Sequence, residues 1–245
     1  MASKDHFKNL FEFRNVILLT FLVILAQKCA GQNCTCSELN VMSLNVWGLP
    51  KFFVEHARGE TRKDNFLKRR FEGIGQLVAM GNYDIFLIQE LWMRKQHDFL
   101  KSQIPPGFSM TEFRDFNFFK CFGRITPLAC SGLAIISRFP LIEVEFNRFH
   151  HRGNWRTVLT DGELFAVKGL GRVRIEPQKD VFVDAIVSHM AADPDKSHGF
   201  TNAFYRKKQT EQLMKMVKDS DAQLVIAGGD FNFTPNGKEG KNFVK

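Results

Sequence analysis

The stretch Leu224-Val225-Ile226-Ala227-Gly228-Gly229-Asp230-Phe231-Asn232 is the most informative of the chain. Its four leading apolar residues form too short a run for a buried helix and read as a buried strand. Two glycines then let the backbone turn closely, and Asp230 and Asn232, two positions apart, can project towards one ligand. Upstream, Val181 to Val187 reads as another strand. Thr201 to Val217 reads as an amphipathic helix with Phe204, Leu213, Met216 and Val217 predicted inward. Strand, helix and returning strand make a crossover unit in which the two strands run parallel.

A second unit of this kind lies nearer the N-terminus. Leu39 to Leu44 is a short apolar run, and Arg62 to Met80 carries Phe66, Phe71, Ile74, Leu77 and Val78 at helical spacing. Ile85 to Ile88 is the returning strand. Parallel strands deliver the residues that follow them to one edge of a sheet, which is where open α/β sheets bind ligands. The polar residues delivered there are Asn45 and Glu90 from one unit, and His189, Asp230 and Asn232 from the other. Between the units the strands are shorter: Leu133 to Ser137, Leu141 to Phe146, and Leu164 to Ile175 interrupted by Gly169 and Gly171. The expected fold class is α/β, a sandwich with mixed sheets.

The chain begins with a charged stretch, Met1 to Asn15, and an apolar run, Val16 to Ala26. That run is short for a membrane span of about 20 residues and reads as the core of a signal peptide. Cleavage after Cys29-Ala30-Gly31 would leave residues 32–245 as one domain with a sizeable core, secreted to the extracellular space. The formal charge of +8 falls to about +6 when the four basic and two acidic residues of that leader are removed. A modestly basic surface favours anionic partners without choosing among phosphate esters, nucleic acid and membranes. In an oxidising compartment Cys34, Cys36, Cys121 and Cys130 allow three pairings; a bond between Cys121 and Cys130 is favoured, and one between Cys34 and Cys36 would close a very tight ring. Asn33-Cys34-Thr35 is a glycosylation sequon, whereas Asn232-Phe233-Thr234 is read as unused because a glycan there would cover the site.

Glu90, just beyond a buried strand, is a hard oxygen donor held rigidly enough for Mg²⁺. His189 at the neighbouring edge is a candidate hydrogen-bond donor to a phosphoryl oxygen. His150 and His151, beside Arg152 and Asn154, read as surface residues. The chain has no Gly-x-Ser-x-Gly elbow, His-Glu-x-x-His pair or P-loop. What remains is metal-assisted hydrolysis.

Six blocks carry a resemblance: Ser43-Leu44-Asn45-Val46-Trp47-Gly48-Leu49-Pro50, Ile88-Gln89-Glu90-Leu91-Trp92, Ser131-Gly132-Leu133 through Ser137-Arg138-Phe139-Pro140, Phe165-Ala166-Val167-Lys168-Gly169, Ser188-His189-Met190, and Gly229-Asp230-Phe231-Asn232. In this order they resemble the neutral sphingomyelinases of the endonuclease/exonuclease/phosphatase superfamily, which includes deoxyribonuclease I. The resemblance implies a four-layer α/β sandwich of two mixed β-sheets flanked by helices, and makes residues 32–245 the catalytic domain. It implies hydrolysis of sphingomyelin by in-line attack of water, releasing phosphocholine and leaving ceramide. The cofactor implied is Mg²⁺, with Mn²⁺ or Co²⁺ as possible substitutes. Carried over by position, Glu90 resembles the main metal ligand and Asn45 the residue beside it near metal and phosphate. Asp230 resembles the carboxylate that orients the attacking water, and Asn232 and His189 the residues that bind phosphoryl oxygens. Lys168 resembles a family lysine at the phosphate, preceded five positions earlier by an acid, here Glu163 in place of the usual Asp.

Family members continue past the Asp-x-Asn block to an Asp-His pair whose His acts as general base. Lys245 ends this sequence without one, so the expectation is a polypeptide inactive or poorly folded, since a positioned base contributes roughly 10²- to 10⁴-fold in rate. The partner expected is sphingomyelin in membrane surfaces, with no protein partner and a monomeric chain. Phe116, Phe118, Phe119 and Phe122, beside Lys120 and Arg124, are read as a candidate headgroup-docking stretch. A deoxyribonuclease-like enzyme acting on nucleic acid is the second reading, and a non-catalytic membrane-binding homologue the third.

Overall fold

A computed structural model of the chain describes residues 21–26, 38–49, 66–113, 131–152, 167–193, 202–234 and 237–243. The cysteines considered for pairing, Glu163 and the Phe116–Phe122 stretch lie outside the described residues.

Two mixed sheets form the centre. One is built from β2 (Val41–Asn45), β3 (Ile85–Gln89), β4 (Ser109–Met110) and β5 (Ala134–Ser137), in the order β2-β3-β5-β4. The other contains β1 (Phe21–Ala26), β6 (Glu143–Arg148), β7 (Gly169–Gln178), β8 (Val181–His189) and β9 (Leu224–Asp230), in the order β1-β9-β8-β7-β6. The helices are α1 (Phe66–Ala79), α2 (Arg94–Gln103), α3 (Ala203–Lys218) and α4 (Lys238–Phe243). The two crossover units run as the sequence predicts: β2 pairs parallel with β3, and β8 with β9.

Burial sorts the elements into layers. Ile85, Leu87 and Ile135 of the first sheet meet Val173, Val183, Ala185, Val187 and Ile226 of the second in the central core. The opposite face of the first sheet, with Phe86, Ile88 and Ile136, takes Phe71, Ile74 and Val78 of α1 and Leu100 of α2. The outer face of the second sheet, with Ile186, Val225 and Ala227, takes Leu213, Met216 and Val217 of α3. Alternate residues of each central strand therefore serve two different cores, the consequence of a period of two in strands covered on both faces. The result is the expected four-layer α/β sandwich.

Three details differ from the sequence expectation. Phe204 is 60% exposed rather than inward. At about 100° per residue it lies half a turn around the helix from Leu213, and the buried stripe runs instead through Arg206, Gln209, Leu213, Met216 and Val217. Gly169 and Gly171 open and continue β7 instead of interrupting it. A Cβ at Gly171 would come within 2.1 Å of the Phe146 ring on the paired strand, so the glycine is what lets that ring into the core. Finally, Phe21–Ala26, within the apolar run assigned to the leader, lies antiparallel along β9 as an edge strand. No helix among the described residues is long and apolar enough to cross a membrane.

Candidate functional site

The four strand ends that the sequence brings to one edge meet there. Asn45, the last residue of β2, donates through Nδ2 to Glu90 Oε1 and to Asp230 Oδ2, each at 2.9 Å. Its own Oδ1 accepts from the Trp47 backbone N–H at 2.9 Å, which fixes the orientation of the amide. Asn45 thus offers the carboxylates its N–H₂ group, and ligation of an ion through its oxygen would require the amide to turn over. His189, paired in register with Asp230, places Nε2 3.9 Å from Asp230 Oδ2. Asn232 completes the turn: its backbone N–H donates to Asp230 Oδ1 at 3.0 Å, and its Nδ2 donates to the Met190 carbonyl at 2.8 Å.

Backbone conformation at the site is unusual. Trp47, Glu90 and Asn232 have φ of 47°, 62° and 53°, in the left-handed region that side chains other than glycine seldom occupy. Such positions persist where the surroundings over-determine them, commonly at ligand sites. Here the surroundings are backbone staples: Val46 N–H donates to Gln89 O, Gly48 N–H to Glu90 O, and Met190 N–H to Asp230 O. Lys168 is buried, and its Nζ donates to the same Met190 carbonyl at 2.9 Å. It therefore stands behind the site as a fixed positive charge.

Electrostatics follow from burial. Glu90 is held above the ordinary carboxylate range, chiefly by loss of water and secondarily by the nearby Asp230 charge, while the Asn45 hydrogen bond, Lys168 and Trp92 oppose the rise. His189 is held well below the ordinary imidazole range, by burial first and the Lys168 charge second. The imidazole is consequently neutral near pH 7, and its 3.9 Å approach to Asp230 is not an ion pair.

A divalent cation fits this donor set. Glu90, His189 and Asp230 each offer a ligand atom, all within 4.8 Å of one another. Among the described residues, four buried side-chain atoms lack a hydrogen-bond partner: Glu90 Oε2, Trp92 Nε1, Ser188 Oγ and His189 Nδ1. All four belong to residues at or just beyond the ends of β3 and β8. Buried polar atoms are normally paired, so a cluster of orphans at one sheet edge marks a place built for a further polar group. Two carboxylates with a neutral imidazole suit a hard or borderline cation.

All five strand-end residues assigned from sequence converge here, with Lys168 behind them. Trp92 and the Met190 carbonyl received no role from sequence. Trp92 carried a signal in its position, two residues beyond Glu90 on the same strand exit, whereas a main-chain carbonyl that gathers Lys168 and Asn232 has no sequence signature.

Comparisons with known proteins bear on the fold and the family. The chain is 28% identical over 204 residues to an inositol phosphosphingolipids phospholipase C of Schizosaccharomyces pombe, an alignment covering 81% of this chain and 42% of that protein. The chain thus spans less than half the length of that relative. A sphingomyelinase C from Streptomyces griseocarneus superimposes with a TM-score of 0.65 at 16% identity, covering 85% of this chain and 69% of that one. A beta toxin variant from Staphylococcus aureus with bound magnesium ions gives 0.63 at 20% identity, with coverages of 85% and 69%. The family model described as endonuclease/exonuclease/phosphatase matches residues 42–245, from β2 to the last residue. By that match, which spans well over half of its length, this chain belongs to the endonuclease/exonuclease/phosphatase family.

Proposed function

We propose that this chain carries the catalytic core of a Mg²⁺-dependent phosphodiesterase that hydrolyses sphingomyelin to ceramide and phosphocholine, with Mn²⁺ or Co²⁺ as substitute ions. The observation that carries the reading is the Asn45 bridge between Glu90 and Asp230, set beside the unpaired Glu90 Oε2 and His189 Nδ1. Similarity to a sphingolipid phospholipase C and to bacterial sphingomyelinase structures supports the choice of substrate, and the magnesium in one such structure supports the choice of ion.

In this reading Glu90 holds the cation, assisted by Asp230 and kept in place by Asn45. The bound ion would stabilise negative charge developing on phosphoryl and leaving oxygens. Asp230 orients a water for in-line attack on phosphorus, and Asn232 holds Asp230 through its backbone N–H. Neutral His189 hydrogen-bonds a phosphoryl oxygen, and the buried charge of Lys168 lowers the cost of placing an anion at this edge. Export by the N-terminal apolar run would bring the enzyme to the outer membrane leaflet.

The test is phosphocholine release from sphingomyelin vesicles in Mg²⁺ against EDTA, with plasmid DNA as a parallel substrate. Mg²⁺-dependent release that Glu90→Gln abolishes supports the proposal. Nicking of DNA with sphingomyelin untouched would move the reading to a nuclease. Vesicle binding with neither activity, even when a C-terminal segment carrying the family's Asp-His pair is supplied, would move it to a membrane-binding homologue.

A further inference from the structure

Of the four orphaned atoms, two are complementary. Glu90 Oε2 is an acceptor without a donor, and Trp92 Nε1 is a donor without an acceptor. They belong to residues two apart on the same strand exit, where the left-handed φ of Glu90 turns the chain. Trp92 is 5% exposed and its ring is fixed from two sides. One neighbour is the His189 ring, with centroids 5.8 Å apart. The other is Gly132, where a Cβ would lie 2.7 Å from the indole and where φ is 68°, so that no side chain is accommodated on either ground. The Leu91 N–H donates to the Gly132 carbonyl at 2.8 Å and locks the two segments together.

So tight a seat specifies where the indole N–H points, which hydrophobic packing alone does not require. A hydrogen-bonding influence of Trp92 is the smallest of those acting on the Glu90 carboxyl, so the N–H lies near that carboxylate although the two atoms are not in hydrogen-bond geometry in the structure. We propose that Trp92 is a positioning residue for the cation-holding carboxylate: its Nε1–H donates to Glu90 Oε2, so that Asn45 and Trp92 together fix both oxygens and leave defined lone pairs for the ion. Each carboxylate oxygen has two acceptor sites, so both hydrogen bonds are compatible with a metal bond. Partners of this kind, which orient a ligand without touching the ion, typically matter roughly 10- to 100-fold in metal affinity. The inference rests on the proposed role of Glu90 for its metal consequence, but not for the hydrogen bond itself.

Two measurements separate these. In ¹⁵N-labelled, metal-free protein the indole N–H resonance of Trp92, assigned by its loss in Trp92→Phe, is expected downfield and is expected to move upfield in Glu90→Gln. Mn²⁺ titration followed by EPR is expected to show affinity about 10- to 100-fold weaker in Trp92→Phe, which keeps a ring against Gly132 and His189 and loses only the N–H. The thermal midpoint of the variant reports on folding. An indole resonance indifferent to Glu90→Gln overturns the proposal, as does wild-type Mn²⁺ affinity in a folded Trp92→Phe protein. Wild-type Mn²⁺ affinity in Glu90→Gln, with the indole resonance responding, would instead sink the metal role of Glu90 and leave the hydrogen bond standing.

Discussion

Glu90 and Asp230, carried by different sheets, are held side by side because each accepts a hydrogen bond from the same Asn45 amide nitrogen at 2.9 Å. Two carboxylates in one partly buried place repel. The amide offsets part of that repulsion, and a bound cation would offset more.

Replacing Asn45 by Ala leaves both carboxylates short of a donor. The expected cost is about 1–3 kcal/mol of unfolding free energy, the usual penalty for stranding a buried acceptor. Millimolar Mg²⁺ should narrow the gap to wild type, because a cation neutralises what the amide had neutralised. Urea titrations with and without Mg²⁺ check this; a gap insensitive to Mg²⁺ would speak against an ion at this place.

Glu90→Gln should raise the thermal midpoint of metal-free protein at pH 7–8 by a few degrees, about 1 kcal/mol being worth roughly 2–4 °C in a chain of this size. Glu90 is held above its ordinary 4.5, so the folded state binds its proton more tightly than the unfolded state. That stabilisation is complete below pH 4.5 and is lost as pH rises through the folded value. The advantage of the glutamine variant is therefore greatest at high pH and vanishes in acid, which calorimetry across the range would show.

His189 works in the opposite sense. Its folded pKa lies well below 6.5, so below pH 6.5 the unfolded chain takes up a proton that the folded chain refuses. Stability should fall with decreasing pH in that window by up to about 1.4 kcal/mol per unit. His189→Gln should flatten this part of the profile; an unchanged slope in urea midpoints would show that the imidazole is not held neutral.

Gly171→Ala should cost about 1–3 kcal/mol, because the new methyl collides with the Phe146 ring. Phe146→Leu should recover part of the loss when the two are combined, and a double-mutant cycle by denaturant unfolding measures the coupling. Strict additivity would place the strain elsewhere.

If residues 1–31 act as a leader, Edman sequencing of protein exported from a eukaryotic host should begin at Gln32. Retention of Phe21–Ala26 in the exported protein would show that the segment serves instead as the strand beside β9. The two uses exclude each other, since a removed leader cannot pair with Leu224–Gly229.

The layers, and the edge of each sheet at which its polar residues emerge, are legible in the order of residues. Parallel crossover units follow from apolar runs separated by one helical stretch, and they bring Asn45 with Glu90 to one edge of the first sheet and His189 with Asp230 to one edge of the second; that the two edges meet follows from the packing of one sheet on the other. Phe204 shows the limit of such reading: being apolar, it is expected inward, but burial follows the phase of the whole helix, and that phase was set by Arg206 and Gln209 finding partners in Asp193, Glu239 and the loop after β8. Packing in three dimensions was needed to show that Asn45 presents its amide to two carboxylates, that Lys168 stands behind the site on the Met190 carbonyl, and that the Trp92 indole is pinned between Gly132 and His189. These depend on distances between strands of two sheets packed face to face, and the order of residues along one strand carries no information about what the opposite sheet will bring against it.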